Sequence, residues 1–303
     1  YYESFTKNLS IQFIFNKYYT INKLEVIYFV LGMHRSGTSA LTGLLASNCL
    51  DAPLDAMNPS NINKKGFYES EKIVSLNENL LSNLKIRWDN IFEIGKNWND
   101  SEEAFDWSRD FLKLLNVVFK NKKNPLIKDP RLSILIEGLK PMLEIDEKIC
   151  RFLIIYRNPL EVAFSLNSAQ GTSLLNSLKL WIFYNISSEF NTRNNNRIFI
   201  HMNDLINNPS KINTQFKNLS YKDNIELFEQ KSIDNFSFIE KKLVNYEVNK
   251  INKFDKESID FVYNSEYFKL ANNIYNFLLS EDKLKQNVIK KFDYFKKEWE
   301  LLN

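Results

Sequence analysis

The stretch from Val26 to Ser47, VIYFVLGMHRSGTSALTGLLAS, constrains this chain more than any other. An apolar, β-branched run from Val26 to Leu31 predicts a buried strand, and Ala40, Leu41, Leu44 and Leu45 recur at helical spacing. Between them lies a turn bounded by Gly32 and Gly37. Strand, glycine-bounded loop and helix together form a phosphate cradle, because loop N–H groups and the positive helix N-terminus converge on one anion. Gly37 lets the backbone approach that anion closely.

Gly32, four residues and Gly37 match half of the ATP/GTP loop signature, but that signature then demands Lys, and this chain has Thr38. The same grammar recurs downstream. A short apolar strand ends at Lys128, with Asp129 as the expected N-cap and Pro130 at the first helical position. A second buried-strand run, Cys150 to Tyr156, precedes Arg157, with Asn158 as N-cap, Pro159 at the first helical position and Glu161 completing a capping arrangement. Helical patterns are predicted at Ile73–Leu84, Trp107–Phe119 and within Gly171–Asn191, and a fourth strand at Arg197–His201. Strands alternating with helices predict an α/β fold with a P-loop-type parallel β-sheet flanked by helices, the ligand crevice lying beyond the C-terminal strand ends. Arg35, Lys128 and Arg157 all fall at such ends.

The expected organisation is an N-terminal extension over 1–22, an α/β core over 23–225 and a helical C-terminal segment over 226–303, including Phe236–Leu243, Tyr267–Leu279 and Val288–Leu302. Asp51 to Glu71 has no period and reads as a long, functional loop. The first residue is Tyr1 rather than Met, which reads as a domain cut from a longer protein. A net charge of +3 argues against nucleic-acid binding through bulk charge. The two cysteines, Cys49 and Cys150, lack metal-ligand spacing and suit a reducing compartment, so a cytoplasmic location is expected. No apolar run is long enough to be a transmembrane segment, and no metal is expected.

Four motifs in order resemble the P-loop sulfotransferases that use 3′-phosphoadenosine 5′-phosphosulfate (PAPS). Gly32-Met-His-Arg-Ser-Gly-Thr-Ser39 resembles their 5′-phosphosulfate loop. Tyr156 to Ser165, with Arg157 and Ser165 eight positions apart, is similar to their 3′-phosphate motif. Gly66-Phe-Tyr-Glu69 and Lys128-Asp-Pro-Arg131 resemble segments of a bacterial-type branch. The likeness covers roughly residues 24–245 and implies transfer of a sulfuryl group to a hydroxyl or amine, the acceptor being a small molecule or a glycan. A ligand without a γ-phosphate needs neither the missing lysine nor its metal partner. The competing readings are a P-loop small-molecule kinase and a non-catalytic nucleotide-binding domain.

By this resemblance the donor is held by His34, Arg35, Ser36, Gly37, Thr38, Ser39, Arg157 and Ser165, and Glu69, Lys128 and Arg35 are catalytic. Glu69 is the first choice of base, with Glu71 and His34 as alternatives. Arg35 and Lys128 offset developing charge. Each residue also has a plainer reading: N-capping for Thr38 and Ser39, a surface ion pair for Arg157, an exposed helix serine for Ser165, a loop carboxylate for Glu69. Animal cytosolic relatives carry a tryptophan for adenine just past the loop; here that place is Ala40, and no adenine contact is assigned.

Overall fold

The computed structural model describes residues 26–58, 66–145, 149–223, 225, 256–280 and 285–303. The N-terminal extension and the helix expected at Phe236–Leu243 lie outside them. Four parallel strands form the sheet: β1 (Val26–Leu31), β2 (Leu126–Lys128), β3 (Ile149–Tyr156) and β4 (Asn196–His201), in the order β2-β1-β3-β4. The helices of the core are α1 (Thr38–Ala46), α2 (Glu71–Asn83), α3 (Glu102–Val118), α4 (Leu132–Ile145), α5 (Pro159–Gln170), α6 (Leu174–Asn191), α7 (Met202–Asn207) and α8 (Pro209–Ser220). Three more follow: α9 (Lys256–Tyr263), α10 (Glu266–Leu279) and α11 (Lys285–Leu302). This is the α/β architecture that the strand–helix alternation predicts.

Side chains alternate across a strand, so a sheet covered on both faces needs apolar residues at every position. Ile27, Phe29 and Leu31 of β1 and Phe152 and Ile154 of β3 face one cluster, built with α2 to α6. Tyr28, Val30, Leu153 and Ile155 face the other, with Leu41, Leu44 and Leu45 of α1 and Phe216 of α8. Burying a side chain such as Leu44 contributes about 1.5–3 kcal/mol. The C-terminal helices join the first cluster through Leu270, Ile274, Phe292 and Trp299, so they pack on the core.

From β1 the chain passes to β2 on one side and returns to β3 on the other. The order therefore switches between β1 and β3, and in open α/β sheets ligands bind beyond the C-terminal strand ends at such a switch point. The loop after β1 and Arg157 after β3 flank it.

One local expectation is corrected. Pro130 is not in the helix, which begins at Leu132. Bonds from Leu132, Ser133 and Ile134 N–H to the carbonyls of Asp129, Pro130 and Arg131 wind Asp129–Arg131 as a turn before α4. Beyond β3 the expected cap is present: Asn158 Oδ1 accepts from Leu160 N at 2.9 Å and Glu161 N at 3.3 Å. The Glu161 carboxylate, however, turns to Arg157 instead of joining the cap. Among the described residues no helix is long and apolar enough to cross a membrane.

Candidate active site

The loop after β1 is held by contacts that only glycine permits. Gly32 has φ +144°, and a Cβ there would lie 2.4 Å from the Ile155 carbonyl oxygen. Gly37 has φ +98°, with Met202 Sδ 2.1 Å from the position a Cβ would take. Gly32 N donates to Ser133 Oγ at 2.9 Å and Ser36 N to the Met33 carbonyl at 3.1 Å, closing the turn. Between the glycines Arg35 adopts φ 68°, a left-handed conformation that costs a non-glycine residue about 1 kcal/mol or more. Gly37 is the N-cap of α1 and supplies no side chain, so the first-turn N–H groups have no side-chain cap. Ser36 Oγ is buried with no hydrogen-bond partner among the described residues.

The strained Arg35 reaches across the switch point. Its Nε donates to Ser165 Oγ at 2.9 Å, over a sequence separation of 130 residues. Arg157 Nη1 lies 3.5 Å from the Arg35 carbonyl oxygen, and its Nε donates to Glu161 Oε2 at 2.7 Å. Trp181 Nε1 donates to the Arg157 carbonyl at 3.0 Å, which fixes the backbone there from α6. Arg157 does form an ion pair, with Glu161, but not the surface one of the plainer reading, because Arg157 is only 6% exposed. Ser165, at 2%, is not an exposed helix serine.

On the other flank, Lys128 Nζ donates to Ser39 Oγ at 3.1 Å, to the Phe67 carbonyl at 3.3 Å and to Glu69 Oε1. The Lys128 and Glu69 side chains are 2% and 11% exposed, a largely buried ion pair. Glu69 arrives there through a shaped approach: Gly66 and Tyr68 have positive φ, and Ser70 caps α2 by accepting from Ile73 N. Burial pushes the Glu69 carboxyl above its ordinary value, with the Lys128 ammonium pulling the other way. Glu71 is exposed on the first turn of α2, its N–H bound to the Asp55 carbonyl at 3.1 Å. Thr38 is buried at the start of α1, and its carbonyl accepts from Thr42 Oγ1 at 2.8 Å.

Behind Lys128, Asp129 serves more than a cap. Its Oδ1 accepts from Arg131 N at 3.0 Å and Arg131 Nη1 at 2.8 Å, and its Oδ2 from Asn77 Nδ2 at 2.8 Å. Burial pushes this carboxyl up, but the Arg131 guanidinium and these bonds outweigh it, and the net direction is down. Arg131 also pairs with Glu78. The His34 ring packs 4.7 Å from Trp88 and 5.9 Å from Tyr184, measured between ring centroids. Burial, then Arg131, lowers the His34 pKa to about 3.

The structure therefore brings sequence-predicted residues from several elements into two groups that each touch the segment after β1: Arg35, Arg157 and Ser165, and Ser39, Lys128 and Glu69. Sequence reasoning missed Asn77, Glu78, Trp88 and Tyr184, which come from helices and a 3-10 turn without a motif. The Arg157–Glu161 pair did carry a signal, the i,i+4 spacing of opposite charges. Both thiols, Cys49 and Cys150, are free, and burial pushes each up to about 12. Among the described residues no three His, Cys, Asp or Glu side chains are grouped to hold a metal ion.

No protein-family model and no curated protein matches this chain. Among solved structures it is similar to the sulfotransferase domain from the Synechococcus PCC 7002 olefin synthase, at 14% identity and a TM-score of 0.40, covering 90% of this chain and 94% of that one. It is also similar to the sulfotransferase domain from the curacin biosynthetic pathway, at 13% identity and a TM-score of 0.36, covering 89% and 98%.

Proposed function

We propose that this chain is a sulfotransferase that takes a sulfuryl group from PAPS and places it on the hydroxyl of an acceptor. The observation that carries the reading is the Arg35–Ser165 hydrogen bond, which joins the two anion motifs at the switch point of the sheet. A ligand with phosphoryl groups at both its 5′ and 3′ positions needs two such sets side by side. The residues present fit it: the loop offers a cradle closed to a Cβ at Gly37 and a buried Ser36 hydroxyl without a partner among the described residues.

His34 to Ser39 would hold the 5′ end through loop N–H groups and the hydroxyls of Ser36, Thr38 and Ser39. Arg157 would fork onto the 3′-phosphate, with Ser165 as a neutral donor. The S–O bond to the 5′-phosphate breaks as the acceptor oxygen bonds to sulfur. Charge developing on the leaving phosphate oxygen meets Lys128 and Arg35. Glu69 takes the acceptor proton, and its burial, which raises its proton affinity, suits that role. Lys128 thus sits between base and loop, touching both Glu69 and Ser39. Thr38, where a kinase loop would have lysine, is a buried helix-start residue and provides no ammonium for a γ-phosphate.

The Arg157→Ala variant tests the assignment by equilibrium titration. It is expected to bind 3′-phosphoadenosine 5′-phosphate roughly 10-fold or more weakly, as loss of a charged hydrogen-bond set predicts, while adenosine 5′-phosphosulfate binds as before. Equal loss for both nucleotides would overturn the 3′-phosphate role.

A further inference from the structure

Beside the loop, away from Arg157, three buried polar atoms have no hydrogen-bond partner among the described residues: His34 Nε2, Tyr184 Oη and Arg131 Nε. Two of the side chains, His34 and Tyr184, lie against each other edge to face, and the third, Arg131, is a charged neighbour of both. Tyr184 is fully buried and Arg131 is 9% exposed, whereas His34, though its Nε2 is buried, and Trp88 keep partial exposure. Buried polar atoms are nearly always satisfied, and leaving several unsatisfied in one place is costly. Among the described residues no group completes them.

We propose that His34, Trp88, Arg131 and Tyr184 form the subsite that receives an uncharged hydroxyl-bearing group of the acceptor. Calling that molecule the acceptor rests on the sulfotransferase reading; the hydroxyl subsite itself does not. The charges around it are matched, Lys128 with Glu69 and Arg131 with Asp129 and Glu78, so a charged ligand group would find no unmatched opposite partner. The groups that remain are a neutral imidazole nitrogen, a phenol and one guanidinium N–H. Together they can both accept from and donate to a hydroxyl. Burial and the nearby cations keep His34 neutral well below pH 7, so its ring retains an acceptor nitrogen. Trp88 adds an aromatic wall beside it, which favours an apolar or ring-bearing carrier of that hydroxyl.

The chain has only two histidines, so the imidazole nitrogen spectrum of protein labelled with 15N-histidine is simple to assign. His34→Phe, which keeps ring packing and removes both nitrogens, identifies the His34 signals. Phenol is the probe, with benzoate as its charged counterpart. Phenol is expected to shift the His34 resonances saturably and leave His201 alone, and benzoate to shift neither. Tyr184→Phe, which keeps the buried ring, is expected to weaken phenol binding about 2- to 10-fold. Benzoate acting as strongly as phenol, or no response of His34 to phenol, overturns the subsite. A parallel titration with 3′-phosphoadenosine 5′-phosphate separates the two proposals. Nucleotide binding without a phenol response removes the subsite alone, and a phenol response without nucleotide binding removes the donor reading while leaving the hydroxyl site.

Discussion

Near the N-terminal ends of β1 and β3, Arg151 donates to Asp223 at 2.6 and 2.9 Å, and the Tyr28 hydroxyl donates to the same carboxylate at 2.6 Å. The Arg151 and Asp223 side chains are 7% and 3% exposed, and neither carries a buried polar atom left over. At the C-terminal ends of the same strands, Arg35 Nε donates to the Ser165 hydroxyl, and Ser36 and His34 leave buried polar atoms unmatched among the described residues. The first arrangement closes on itself and ties the end of α8 to the sheet. The second also holds ion pairs, Lys128 with Glu69 and Arg157 with Glu161, but beside them it leaves polar atoms unmatched among the described residues. Under the donor reading proposed above, this is the end that binds an anion.

Removing one partner of a buried ion pair leaves the other charge uncompensated, so Asp223→Ala is expected to show the largest effect. It should lose about 3–5 kcal/mol of stability by denaturant unfolding, while nucleotide affinity of the folded protein stays within about twofold. A stable variant with damaged nucleotide binding would erase the distinction between the two ends. Glu69→Gln works on the opposite end; it also breaks a largely buried pair, with Lys128, so its stability is measured alongside, and what sets it apart is its effect on turnover. Turnover of PAPS with a hydroxyl probe such as phenol should fall on the order of 10²-fold or more, with nucleotide binding retained. The base must be deprotonated to act, and burial raises its pKa. Activity of the native chain should therefore decline, as pH falls, at a higher pH than an ordinary glutamate with a pKa of 4.5 would give. Full activity in the variant would pass the role to another group. The smallest effect is expected from Ser165→Ala, which removes the acceptor of one neutral-to-charged hydrogen bond from Arg35. Its nucleotide affinity should drop about 2- to 10-fold, with stability changed by no more than about 1 kcal/mol. A loss as large as that of Arg157→Ala would make Ser165 an equal anchor of the phosphate.

Much of this was legible in the sequence because it is local. The β1 run and β3 from Phe152 to Tyr156 are apolar at successive positions, as a doubly covered sheet requires, and Asn158-Pro159 marks a helix start by its own chemistry. Position at a strand end also located Arg35, Lys128 and Arg157 on one edge. What stayed hidden depends on partners distant in sequence. Asp129 looks like an N-cap until Asn77 of α2 and the Arg131 side chain divide its oxygens. That division draws the residue into a turn and delays α4 to Leu132. Trp88 and Tyr184 carry no motif, and only the packing of a 3-10 turn and α6 around His34 brings them to the loop.

Thermal unfolding with two ligands tests the central claim most directly. A ligand that binds only the folded state stabilises it in proportion to the logarithm of its concentration, by about 2.7 kcal/mol at 100 times its dissociation constant. The site described here predicts that 3′-phosphoadenosine 5′-phosphate raises the melting temperature progressively and that Mg-ATP at equal concentration does not. Equal stabilisation by Mg-ATP, or none by either nucleotide, would contradict it.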